Sequence, residues 1–99
     1  MKISEIDICP VKHNNGLVAF ASLVYDNSIY LGSIAIHSKL SGGYRITYPT
    51  KRLADKDMNL FHPIQKDISK KIEEAIIQKY KDVMKGQYED EDYSDKILG

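Results

Sequence analysis

The 99-residue chain has one cysteine, Cys9, so no intramolecular disulfide framework holds it together. It has no run of about 18 apolar residues, which excludes an ordinary membrane-spanning helix. The opening, MKISEIDICP, places Glu5 and Asp7 where a secretory leader would need an unbroken apolar core. Metal-ligand spacing is missing as well. Cys9, His13, His37 and His62 are scattered, with no CxxC or HxxxH among them. The one glycine cluster, Ser41-Gly42-Gly43, is a turn signal and not a phosphate-binding loop. No nucleophile elbow occurs, and the carboxylates are dispersed over turns, a helix surface and the C-terminal end. The expectation from these absences is a non-enzymatic cytoplasmic protein with no cofactor, no metal, no small-molecule substrate and no membrane contact.

Charge is balanced overall, with 14 basic and 14 acidic side chains, but it is unevenly distributed. Residues 51–88 hold nine basic groups against six acidic ones, whereas residues 89–99 hold five acids against Lys96 alone. The first 50 residues add four basic groups against three acids. The part expected to fold is therefore mildly basic, and an acidic tail cancels it. That excess is weak evidence for a polyanionic partner, because many domains without one carry as much.

The organisation follows from apolar periodicity. ISEIDICP alternates Ile6 and Ile8 with Glu5 and Asp7, a half-buried strand expected to end at Pro10. His13–Gly16 reads as a turn. LVAFASLVY (17–25) and IYLGSIAIH (29–37) are apolar on both sides, separated by the hairpin-type break Asp26-Asn27-Ser28, and YRITY (44–48) is a short fourth strand. From Ile64 the period becomes helical: Ile68, Ile72, Ala75, Ile76, Tyr80 and Val83 share one broad arc of a helix over Asp67–Lys85. Asp67 suits its first turn and Gly86 its C-terminal stop. The fold class expected is α+β: a small antiparallel sheet of about four to five strands followed by one C-terminal helix. Residues 1–86 form the domain, and residues 87–99 form an acidic tail expected to be disordered. One helix covers one face of a sheet whose two central strands are apolar on both. Ile77 and Met84 lie opposite Ile68 on the wheel, so a second copy of the chain is the expected cover for the remaining apolar surface.

Basic groups cluster near the helix. Lys70, Lys71, Lys81 and Lys85 share an arc, Lys66 precedes it, and Lys51-Arg52 lies upstream. Glu74 and Asp82 interrupt that arc, and Lys70–Glu74 has the spacing of an ordinary i, i+4 pair. On charge alone a solvated helix face explains the pattern.

The stretch YPTKRLADKDMNLFHPIQKDISKKI (48–72) changes that balance. Its YPTKR (48–52), followed after eight residues by FHPI (61–64), resembles the MPSKR…HPI signature of the SpoVG family (stage V sporulation protein G). AFASLVYD (19–26) is similar to that family's A-x-A-S-x-x-x-D strand, and KIEEAIIQKY (71–80) to its C-terminal helix. The resemblance covers roughly residues 3 to 85. It implies a homodimeric bacterial regulator that binds DNA and/or RNA and is linked to septation, cell division, sporulation and gene regulation. Pro49, Lys51, Arg52, His62, Pro63, Ile64 and Lys71 match the pattern, so Lys51, Arg52 and Lys71 carry over as nucleic-acid contacts, with Lys66 and Lys70 beside them. Asp7, Cys9 and Pro10 stand in a strand that is often basic in relatives, and Ser33-Ile34-Ala35-Ile36 lacks the arginine of the family's D-I-R-V strand. The alternative is a protein-interaction module of the division apparatus, for which nucleic-acid binding is incidental.

Overall fold

The computed structural model describes the backbone of residues 2–98 and the side chains of residues 2–86. Four strands come first: β1 (Ile3–Asn14), β2 (Leu17–Tyr25), β3 (Ile29–Ser38) and β4 (Tyr44–Thr47). They form an antiparallel meander in the order β1-β2-β3-β4. A separate two-stranded sheet, β5 (Thr50–Leu53) with β6 (Lys56–Asn59), precedes a single helix, α1 (Lys66–Leu98). The fold is therefore α+β, with the helix following the strands. The acidic tail expected over residues 87–99 falls outside the described side chains.

Turn chemistry sets the meander. Asn15 (φ 52°) and Gly16 (φ 93°) form the two-residue connection between Asn14 and Leu17, the left-handed geometry that Asn-Gly adopts readily. Asp26 and Asn27 take the same conformation at φ 54° each without a glycine, because their short polar side chains tolerate it. Pro10 does not end β1. It pairs with Ala19 inside the strand, which continues to Asn14. The reason is position: β1 is an edge strand, where a missing N–H need not break a ladder.

Two bulges face the same stretch of β2. Between Ser4 and Asp7 in β1, and between Leu31 and Ile34 in β3, an extra residue is inserted against Leu23 and Ser22. Glu5 (φ 50°) and Ser33 (φ 59°) carry the left-handed backbone. Bulges of this kind bend the strand and increase its local right-handed twist.

The core lies between that helix and one face of the sheet. Ala19, Ala21, Leu23, Ile34 and Ile36 are buried against Ile72, Ile76 and Tyr80. Tyr80 meets Tyr44 of β4 edge-on, with ring centroids 5.0 Å apart. The buried stripe of α1 runs through Ile72, Ile76 and Tyr80 at strict i, i+4 steps, so its centre is Ile76 and not Ile68. That rotation corrects the expectation for Met84, the next step of the same ridge, which packs half-buried on the core's edge. The helix also begins at Lys66, one residue before Asp67, and runs through Gly86. A glycine inside a helix costs only about 1 kcal/mol, too little to force a stop.

The β5–β6 hairpin turns on Ala54-Asp55, with Ala54 held at φ 57°. An alanine there carries a left-handed penalty that glycine avoids. Ala54→Gly should therefore stabilise the protein by a few tenths to about 1 kcal/mol, seen as a higher urea midpoint at unchanged slope.

Candidate nucleic-acid interface

All eight residues of the β5–β6 hairpin are exposed. Its base is closed by a hydrogen bond from the Leu60 amide to the Pro49 carbonyl, 2.8 Å. Register separates the two adjacent basic residues. Lys51 lies opposite Met58 and Arg52 opposite Asp57, so Lys51, Leu53, Lys56 and Met58 share one face while Thr50, Arg52, Asp57 and Asn59 share the other. Arg52 Nη1 sits 3.5 Å from Asp57 Oδ1, with both side chains more than half exposed. Such an exposed pair contributes little and leaves Arg52 available to a stronger anion.

Lys66, Lys70 and Lys71 stand exposed on the first two turns of α1. Lys66 and Lys70 follow each other along one side at i, i+4, and Lys71 is adjacent. Cations at a helix N-terminus oppose the macrodipole, so this placement does not serve helix stability. The spacing Lys70–Glu74 yields no ion pair. Among the described residues the Arg52–Asp57 contact is the one salt bridge, which leaves Lys51, Lys66, Lys70 and Lys71 uncompensated.

Between hairpin and helix the chain is held by aromatics. Tyr48 packs edge-on against Phe61 with centroids 5.9 Å apart. The Tyr48 hydroxyl is buried without a hydrogen-bond partner. Burial first, and the Glu73 carboxylate second, raise its pKa above the ordinary tyrosine value. His62 Nδ1 donates to the Pro63 carbonyl at 3.1 Å in an exposed corner, a local bond that shapes the turn and not a catalytic arrangement. Beside this corner an apolar groove of about 340 Å³ opens between Tyr25, Leu31, Phe61, Ile64 and Ile68. Ile64 is 89% exposed, and Leu60 and Ile29 are also open to solvent. Part of the chain's exposed apolar surface therefore lies at this corner, where Leu60 and Ile64 belong to no strand or helix.

Among the described residues no three His, Cys, Asp or Glu side chains converge as metal ligands. Among the described residues no helix is long and apolar enough to cross a membrane.

The sequence model of SpoVG matches residues 1–82, which spans the whole sheet, the hairpin and most of the described helix. The chain belongs to the SpoVG family. Proteins named "Putative septation protein SpoVG" are similar to it over nearly their full length. The one from Treponema denticola is 28% identical over 90 residues, covering 88% of this chain and 96% of its own. That of Archaeoglobus fulgidus is 26% identical over 82 residues, with 82% and 95% covered. That of Acetivibrio thermocellus is 26% identical over 92 residues, with 92% and 97% covered. The matched region of this SpoVG-family chain includes Lys51, Arg52, Lys66, Lys70 and Lys71.

Proposed function

We propose that the protein is a homodimeric regulator that binds DNA or RNA through Lys51, Arg52, Lys66, Lys70 and Lys71. The observation that carries this reading is a set of five exposed cations, four without an ion-pair partner among the described residues, on two elements joined by one short corner. Lysine and arginine contacts to phosphate release condensed counterions, so binding should weaken steeply with salt. They position the protein on the backbone, while sequence preference needs base contacts besides. The second copy packs on the aliphatic groove at the Phe61–Ile64 corner, which joins two basic surfaces in one particle.

The test is a salt-titrated anisotropy measurement with labelled mixed-sequence DNA and RNA. The variant Lys51→Ala/Arg52→Ala/Lys71→Ala should bind roughly tenfold or more weakly near 0.1 M salt. Its log-affinity slope against log salt should be shallower by about 2–3, or about 0.9 per lost phosphate contact. An unchanged affinity and slope would remove these residues from the site. The names of the relatives favour a second reading, an interaction module of the division apparatus. That reading gains if the parent protein retains no nucleic acid near physiological salt while holding a division protein from cells.

A further inference from the structure

The sheet face turned away from α1 carries two aromatic side chains that the fold leaves open: Phe20 on β2 is 39% exposed and Tyr30 on β3 is 71% exposed. Register fixes both on this face. Phe20 pairs with Ala35 and Tyr30 with Val24, while the alternate positions Ala21, Leu23 and Ile34 point to the helix and are buried. Among the described residues neither ring stacks on another aromatic side chain. Tyr30 lies down along the strand, with the tip of its ring over Gly32. A Cβ at residue 32 would stand 2.9 Å from Tyr30 Cε2, so the glycine is what lets the ring rest on the sheet.

The two rings border an open groove of about 380 Å³, whose walls include Asp7, Ser22 and Ser33. The groove coincides with the paired bulges, at Glu5 in β1 and Ser33 in β3, where the backbone takes conformations unfavourable to L-residues. Bulges of this kind re-aim side chains and recur beside binding sites. Toward β4 the same face continues with His37, Thr47 and Arg45. His37 Nε2 and Thr47 Oγ1 share a hydrogen bond of 3.0 Å, and Arg45 is the cross-strand partner of His37. Burial, then the Arg45 charge, hold the His37 imidazole below its ordinary pKa, and the Arg45 guanidinium is a permanent cation.

We propose that this face is a stacking platform for single-stranded nucleic acid, with unpaired bases on Phe20 and Tyr30 and a backbone phosphate at Arg45. This inference rests on the nucleic-acid reading above. It adds the form of the ligand and a second contact surface, distinct from the lysines of the hairpin and helix. Aromatic rings stack on any base, but only on one whose π-face is free, which a duplex does not offer. A sheet holds such rings with little freedom to lose on binding. Asp7 would repel a phosphate in the groove but accepts hydrogen bonds from base-edge amino groups. Bases therefore enter the groove, and the phosphates run on the Arg45 side.

The experiment uses the full chain and a labelled strand of about 12 nucleotides, within the usual site size of such platforms, alone and as the matching duplex at one fixed low salt. Phe20→Ala/Tyr30→Ala should bind the single strand about 10- to 100-fold more weakly and the duplex equally well. Phe20→Trp adds a single indole to a chain that has no tryptophan, and its emission should be quenched by the single strand. If the double variant keeps the parent's circular dichroism and its single-strand affinity, the platform is overturned while nucleic-acid binding stands. If the parent binds neither form, both readings fall together. If the double variant halves the particle mass, a second copy covers this face, and the platform is likewise overturned.

Discussion

Ile76→Ala should destabilise the protein by about 2–5 kcal/mol, through lost transfer free energy and the cavity left behind. Ile76 is fully buried and lies at the centre of the helix ridge that packs against Leu23, Ile34 and Ile36. A domain of this size has about 5–15 kcal/mol of stability in all, so the loss is a large fraction. The neighbouring Ile77→Ala removes the same atoms from a half-exposed position and should cost under about 1 kcal/mol. Urea unfolding of both variants at one protein concentration measures the difference, with the concentration fixed because dissociation adds to unfolding in a dimer. Equal losses at the two positions would mean that the buried stripe is not centred on Ile76.

That pair of variants also marks what the sequence could and could not reveal. Alternation alone locates β2 and β3, and Asp26-Asn27 separates them, because both strands are long and their apolar residues recur at period two. The helix is legible for the same reason. Its rotation is not: Ile68, Ile72, Ile76 and Val83 make an arc too broad to show which edge meets the sheet. The β5–β6 hairpin leaves almost no trace, since all its residues are exposed and its turn is Ala-Asp, not Asn-Gly. The basic residues were visible as letters, but their directions were not. Only the pairing of Lys51 with Met58 and Arg52 with Asp57 shows that the two neighbours face opposite ways. Likewise, the double-sided apolarity of β2 announced an uncovered face without saying which one, and the open aromatics Phe20 and Tyr30 emerge once Ala21 and Leu23 are seen under the helix.

Under the homodimer proposed above, Ile64→Glu should yield a monomer with little effect on folding. The side chain is 89% exposed in the single chain, so a glutamate there is solvated and should change monomer stability by no more than about 0.5 kcal/mol. Packed against a second copy, the same carboxylate loses its water without gaining a partner, at a cost of several kcal/mol. That cost corresponds to a dissociation constant raised at least about 100-fold. Light scattering or sedimentation at a fixed concentration should show the parent at twice the chain mass of 11.3 kDa and the variant at that mass. A parent at the single-chain mass would overturn the proposed dimer, and a variant that keeps a doubled mass would place its contact elsewhere. The consequence extends to function, because one protomer presents the Lys51–Lys71 set of cations only once. Two linked basic surfaces turn the second phosphate contact into an intramolecular event, which can raise avidity by about 100-fold or more without any new residue. The monomeric variant, with every lysine intact, should therefore bind long nucleic acid far more weakly than the parent while matching it on a fragment too short to reach both protomers.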